Sequence, residues 1–454
     1  MNASLATARL ADVLPYLANR LFPLLVATTF VAIVGHSARA DDESYSELVR
    51  RVHELEAQVE KLETRDRVER FETARIDRTI DAIARDAERR SQLLLQSGAT
   101  AGYRNGFFIS SDDGNFRFHP SLLFQFRGVS NTNDTDSQSG FEVRRTRLRL
   151  DGHLFSPDLT YGLIWDTARQ GGAVSLLDAW AAYRFAPDWQ FKIGQFRESW
   201  FHEWDVAPQN QLTAERSLVA QEVGGNLTDR VQGLSLTYGG VGTNPIRVEV
   251  ALHDGANSQN TDFRDNVGLT ANAANFGVGG RFEYRIAGDW SSYADFSARE
   301  NKQPLLVLGG GFDFTQRGDL DTTLATVDAT FETATGWCLY ASATGKFADT
   351  AQGQRRDYGF LAQAGYLLTP EWEAFARYDV LFPDGDEAGP SQYAEITVGV
   401  NRYLGPGGSA GHRAKITLDA GCLPDGAPSN LTGIGAIAGH ERQFIIRAQF
   451  QLQI

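Results

Sequence analysis

From residue 116 to the C-terminus, apolar and polar side chains take turns. In "FRFHPSLLFQFRG" (116–128), Phe116, Phe118, Leu122, Phe124 and Phe126 share one face. Arg117, His119, Ser121, Gln125 and Arg127 share the other. The last segment, "RQFIIRAQFQLQI", does the same, with Phe444, Ile446, Ala448, Phe450, Leu452 and Ile454 set against Ile445, Arg447, Gln449, Gln451 and Gln453. A two-residue period is that of a strand with one oily and one wet face. Strands of soluble sandwiches average about 5–6 residues. These runs extend over about 10–12, the length of a tilted strand that crosses a membrane.

Seventeen segments carry the pattern: 116–127, 142–152, 159–168, 175–185, 189–197, 229–239, 246–254, 276–286, 289–299, 304–315, 322–333, 336–346, 357–368, 371–381, 393–404, 412–421 and 441–453. A bacterial barrel with both ends on the periplasmic side has an even number of strands. Short connections at Ser156-Pro157-Asp158, Pro187-Asp188 and Thr369-Pro370 suit the inner side. Longer polar ones at 128–141, 198–228, 255–275, 382–392 and 422–440 suit the outer side. Counted from both ends, the phase fails between 286 and 322. The weakest alternation there, "DWSSYADFSAREN" (289–301), is assigned to a long inner turn. The predicted fold is therefore an all-β transmembrane barrel of 16 antiparallel strands within 98–454.

Upstream the period is different. Residues 41–96 contain no Gly or Pro. A heptad frame places Val52, Val59, Asp66, Thr73, Ile80, Ala87 and Leu94 at a, and Leu48, Leu55, Leu62, Glu69, Ile76, Ile83 and Arg90 at d. Ten of these fourteen are apolar, and unbroken register over this length predicts an α-helical coiled coil over 41–97. The alternative is a single amphipathic helix. Before it, the apolar run "LFPLLVATTFVAIVGHSARA" ends in Ala38-Arg39-Ala40. Residues 1–40 read as an export signal with that cleavage site, or as an uncleaved anchor.

Charge narrows the function. The chain has 43 Lys+Arg against 57 Asp+Glu, a net charge of −14, which disfavours a general nucleic-acid binder. The basic residues matter locally. In "FEVRRTRLRLDG" (141–152), lipid-facing Leu148 and Leu150 place Arg145, Arg147 and Arg149 on the interior. The opposite parity would point cations at hydrocarbon, at roughly 2–4 kcal/mol each. Strict alternation puts Arg144 on the outer face, near the outer rim. With Arg117, Arg127 and Lys192, the three inward arginines form a candidate cationic track for small anions. Trp165, Tyr183, Trp189, Trp372 and Tyr378 fall on the outer face as candidate interface aromatics.

Other motifs carry less. Gly407-Gly408-Ser409-Ala410-Gly411 matches a nucleophile elbow, but it follows Pro406 and precedes a strand rather than a helix, so it reads as a turn. The histidines show no zinc spacing. The acidic loops 131–140 and 382–389 read as solvated, with divalent-cation bridging as the alternative. Cys338 and Cys422 lie at opposite ends of their strands, about 25 Å apart in level, too far for a disulfide. No enzyme activity and no cofactor are expected.

Four stretches resemble the phosphate-selective porin O and P family: "RRTRLRLDG" (144–152), "LLDAWAAYRFAPDWQFKIGQF" (176–196), "RESWFHEWDV…LTAERSLV" (197–219) and the alternating last strand. The resemblance implies a sixteen-stranded outer-membrane barrel, usually trimeric, that passes small anions by diffusion. It also implies a third outer loop, here about 198–228, folded inward to narrow the pore. Two features depart from the family: the chain ends in Ile454 rather than an aromatic residue, and the coiled coil is no part of the barrel motif; the 29 basic against 41 acidic residues of 99–454 make the porin reading firmer than the phosphate one. The expectation is a porin in the bacterial outer membrane, in contact with its lipids, with itself as a homotrimer and with small anions such as phosphate. The coiled coil would lie in the periplasm, where it is a candidate for contact with peptidoglycan. A structural anchor that tethers the envelope, and a secreted β-rich adhesin, are the rival readings.

Overall fold

The two-beat pattern becomes a single closed sheet. A computed structural model of the 454-residue chain describes residues 50, 51, 53–58, 60, 61, 85 and 98–454, apart from 105, 170, 225–229, 257, 262–273, 275, 319, 351–352 and 385–389. The chain divides into two units, 1–90 and 91–454. In the first, the described residues are helical and exposed. The export signal and nearly all of the coiled-coil frame lie outside the described residues.

The second unit contains β1 (Ala99–Tyr103), β2 (Phe107–Ser111), β3 (Arg117–Thr132), β4 (Ser137–His153), β5 (Leu159–Thr167), β6 (Val174–Ala186), β7 (Trp189–Arg197), β8 (Arg230–Gly239) and β9 (Ile246–His253). It continues with β10 (Phe276–Ala287), β11 (Leu305–Arg317), β12 (Leu320–Glu332), β13 (Trp337–Thr350), β14 (Gly353–Thr369), β15 (Trp372–Phe382), β16 (Tyr393–Tyr403), β17 (Ala414–Leu423) and β18 (Gln443–Gln453). From β3 to β18 each strand pairs antiparallel with the next. β18 then pairs with β3, with Phe450 opposite Phe126, and this closes a sixteen-stranded barrel. Closure removes the sheet edges that lipid could not satisfy. Among the described residues no helix is long and apolar enough to cross a membrane.

The outer face is apolar: Val143 (46% exposed), Leu148 (44%), Ile396 and Phe444 all project from it. Aromatics gather beside the short turns, where Trp189 meets Tyr238 at 4.9 Å between ring centres and Trp337 meets Tyr366 at 4.5 Å. The Arg402 guanidinium sits 5.1 Å over Trp372. Such rings suit the membrane–water interface. Cys338 and Cys422 are both free.

Three differences from the sequence reading have physical causes. The predicted outer loop 128–141 is mostly strand, because β3 and β4 continue past the bilayer, where no oily face is required. Only 133–136 turn, with Asn133 Oδ1 accepting the Thr135 and Asp136 N–H groups. The hairpin β1–β2 has no counterpart among the predicted strands; β2 pairs with β3 through Ile109–Phe118 and Ser110–Arg117. The predicted inner turn after β10 is present but does not hang free. It makes a 3-10 turn at Trp290–Ala294, and Tyr293 and Phe296 are buried.

Candidate functional site

The segment after β7 enters the barrel. From Glu198 to Gly224 nearly every residue is buried or half-buried. Its backbone is taken up by inward-facing side chains of the wall. The N–H groups of Ala214, Leu218 and Val219 donate to carboxylates of Asp419, Glu395 and Asp379. Asn401 and Lys415 donate to the carbonyls of Leu212 and Gln211. A buried loop must satisfy its backbone somewhere, and here the barrel interior does so. An apolar seam completes the packing: Val206 and Leu212 from the loop, Phe296 from the inner turn, and Tyr340, Leu361 and Phe375 from the wall.

The arginine-rich strand, three strands on from β17 through the β18–β3 closure, clamps the same loop. Pairing between β3 and β4 slips at Gln125/Phe126, so that Arg145 opposes Gln125 while Val143 opposes Phe126. Arg144 is the extra residue of a β-bulge. The bulge turns Arg144 inward beside Arg145, which corrects the outward position given by strict alternation. Arg144 donates to Glu215 through Nε at 2.6 Å and Arg145 through Nη2 at 2.6 Å. Arg127 Nη1 stands 3.8 Å from the same carboxylate. Burial opposes the charge of Glu215, yet Arg144, Arg145 and Arg127 hold its carboxyl well below the usual range. Arg127 also pairs with Glu142 and donates to the Thr432 carbonyl.

The six candidate cations therefore part company. Arg127 (1% exposed) and Arg145 (4%) are spent on the loop clamp. Arg117 lies at the inner end of β3, 5.5 Å over the Phe108 ring of the hairpin. Arg147, Arg149 and Lys192 line the space left between loop and wall, a cavity of about 380 Å³. Arg147 donates through Nε and Nη2 to Asp166, both at 3.0 Å. Lys192 reaches Glu249 at 2.9 Å, and Arg149 donates through Nε to Asp151 at 2.8 Å. Two cations that the sequence reading left out border the same cavity: Arg197, which donates to the Asp205 carbonyl, and Arg230, which pairs with Asp178 at 2.9 Å. Arg197 closes β7 and Arg230, its cross-strand partner, opens β8; alternation from Lys192 would turn both outward, yet at the mouth of the loop both border the cavity. Only the loop's course brings them to the lumen.

Asp205 faces the lumen from the loop. Burial raises its carboxyl to about 6, against the pull of Arg281 and Arg247 and the hydrogen bond from Ser199. His202, stacked on Tyr293 at 3.9 Å, is pushed well below its usual value by burial and by the same two arginines.

Among the described residues two side-chain groups have the composition of a metal site: Glu198, His253 and Asp313, and His202, Asp205 and Glu283. The bonding argues against a metal in both. The Gly255 N–H donates to His253 Nδ1 at 3.0 Å, so the imidazole carries its proton on Nε2. That nitrogen faces Asp313 at 3.0 Å and Glu198 at 3.3 Å as a donor rather than a ligand. Glu283 is already held by Arg281 and Arg247. The Gly407–Gly411 motif forms two 3-10 turns between β16 and β17 and makes no nucleophile elbow.

A family model described as phosphate-selective porin O and P matches residues 121–406. No curated protein matches the chain in sequence. Similar solved structures include an anion-selective porin from Comamonas acidovorans, at 13% identity and TM-score 0.55, covering 74% of this chain and 99% of that one. OmpF of Salmonella typhi, in complex with daunomycin, aligns at 12% identity and TM-score 0.51 over 78% of this chain and 100% of its own. OprB of Pseudomonas putida aligns at 9% identity and TM-score 0.51 over 74% and 94%. At these identities the likeness is one of fold.

Proposed function

Because the chain belongs to the phosphate-selective porin O and P family and is an outer-membrane porin, we propose that its lumen passes small anions, phosphate among them, by passive diffusion. One observation carries the sign of the charge. The residues lining the 380 Å³ space include the cations Arg147, Arg149, Lys192, Arg197 and Arg230 but only the acids Asp178 and Asp205; the partners Asp166, Asp151 and Glu249 stand behind the lining. In a narrow, low-dielectric passage such an excess lowers the barrier for anions and raises it for cations. The pore is a channel, and no reacting group is assigned to it. The barrel is read as one subunit of a homotrimer, and residues 41–97 as a periplasmic coiled coil that reaches towards peptidoglycan. The heptad frame and the family resemblance support those two readings.

Reversal potentials across planar bilayers in a KCl gradient test the charge preference. The wild-type channel is expected on the anion side. Replacing Arg147, Arg149 and Lys192 together by Gln moves the potential towards zero or past it. Cation selectivity in the wild type, unchanged in the triple variant, overturns the anion reading.

A further inference from the structure

The inward positions of a water-filled barrel are polar by default, since apolar side chains there are exposed to the solvent the pore carries. The 380 Å³ passage breaks this rule on one side. Trp180, Ile164, Phe196 and Leu123 line it beside the cations. Trp180 occupies an inward position of β6, opposite Gly162 on β5 and Gly194 on β7. A Cβ at Gly162 would stand 2.5 Å from Trp180 Cζ2, so the indole lies over bare backbone that only glycine leaves open. Lys192 Nζ sits 4.6 Å over the Phe196 ring. The passage thus offers an aromatic floor with cations along its edge.

The cations are mostly neutralised in pairs. Arg147 is bound to Asp166 and Lys192 to Glu249. Arg149, its side chain 47% exposed, is bound to Asp151 through Nε, which leaves the outer edge of the guanidinium towards the lumen. A hydrated dianion such as phosphate needs several converging charges to replace its water, and Asp178 and Asp205 oppose it in the same passage. A carboxylate needs one guanidinium edge. A flat hydrocarbon body behind it sheds water against Trp180 and Ile164, which costs nothing electrostatically and gains apolar burial.

We propose that this passage is a binding slot for aromatic monocarboxylates, which it takes in preference to inorganic phosphate. The inference rests on the anion reading above, and its test separates the two. In planar bilayers with KCl, benzoate added to the wild-type channel should bind and reduce the chloride current in a saturable manner. Phosphate should need about a tenfold higher concentration for the same effect, the scale of one aromatic contact plus its burial. Trp180→Ala should weaken the benzoate effect about three- to tenfold and leave the phosphate effect unchanged. Trp372→Ala, on the lipid face, should change neither. Equal effects of benzoate and phosphate on the wild type overturn the slot while anion selectivity stands. So does a benzoate effect that Trp180→Ala leaves intact. Cation selectivity of the wild type removes the anion reading and the slot together. The wild-type comparison needs no variant, so the proposal is decided even where Trp180→Ala fails to assemble.

Discussion

The wall formed by β3–β8 and the wall formed by β10–β18 are written in the same alternating code, and both place arginines on the inside. Their arginines nevertheless do different work. On the first wall Arg147 and Arg149 border the lumen, each bound to one carboxylate. On the second, Arg281, Arg377 and Arg447 are buried, bonded respectively to Tyr293 of the inner turn, to the Glu215 carbonyl of the loop and to the Ile434 carbonyl between β17 and β18. Each of these meets two carboxylates: Arg281 with Glu283 and Asp328, Arg377 with Asp379 and Glu395, and Arg447 with Asp419 and Glu395. Buried charges persist only when paired, so the covered wall trades its field for a fixed ionic lattice. A side chain must reach the interior to act on solutes, but the course of the loop decides which interior residues do so.

The comparison breaks most completely if the loop leaves the second wall. Glu215→Gln keeps the size of the side chain but strips Arg144 and Arg145 of their shared counter-ion. Breaking a buried pair on one side costs roughly 3–5 kcal/mol. The expected outcome is a channel whose single-channel conductance rises several-fold and flickers, because the covered wall opens to water. A Glu215→Gln channel with wild-type conductance contradicts the clamp.

A smaller effect comes from pH and separates the loop's two carboxyls. Asp205, raised by burial from 3.8 to about 6, favours the docked loop most at low pH and loses that contribution as pH rises through about 6. Glu215 is held below its usual 4.5, so its contribution is full above 4.5 and is lost only as pH falls through its lowered value. Between pH 7.5 and 5 the zero-current potential should therefore move further to the anion side, with a midpoint near 6, as Asp205 loses its charge. The conductance level should stay constant over the same range, because the clamp holds. A conductance step in that window contradicts this division.

The lipid-facing code was fully legible: every barrel strand lies within a few residues of its predicted span, and the assignment of 289–301 to a turn stands. The reason is energetic, since one misplaced parity exposes a charge to hydrocarbon. Within the site, legibility ended where local rules did. The bulge at Arg144 adds one residue to a strand without marking the sequence, so Arg144 read as outward. Arg127 and Arg145 read as pore-lining because their shared partner, Glu215, lies far along the chain, 70 residues from Arg145, in a loop whose course no periodicity encodes. Arg197 and Arg230 were passed over because alternation from Lys192 turns them outward, at the two ends of that loop. The glycine opposite Trp180 was visible as a letter but had no meaning until β5 and β6 were in register.

The contrast between an open and a covered wall is tested most directly by thiol accessibility during conduction. Arg149→Cys and Arg447→Cys channels would be exposed to a small, negatively charged, water-soluble thiol reagent, with the wild type as control for Cys338 and Cys422. The account predicts that current through Arg149→Cys falls promptly as the lumen gains a fixed negative group, while Arg447→Cys and wild type stay unmodified. Rapid modification at 447, or none at 149, would show that the lumen runs along the other wall and would contradict the account.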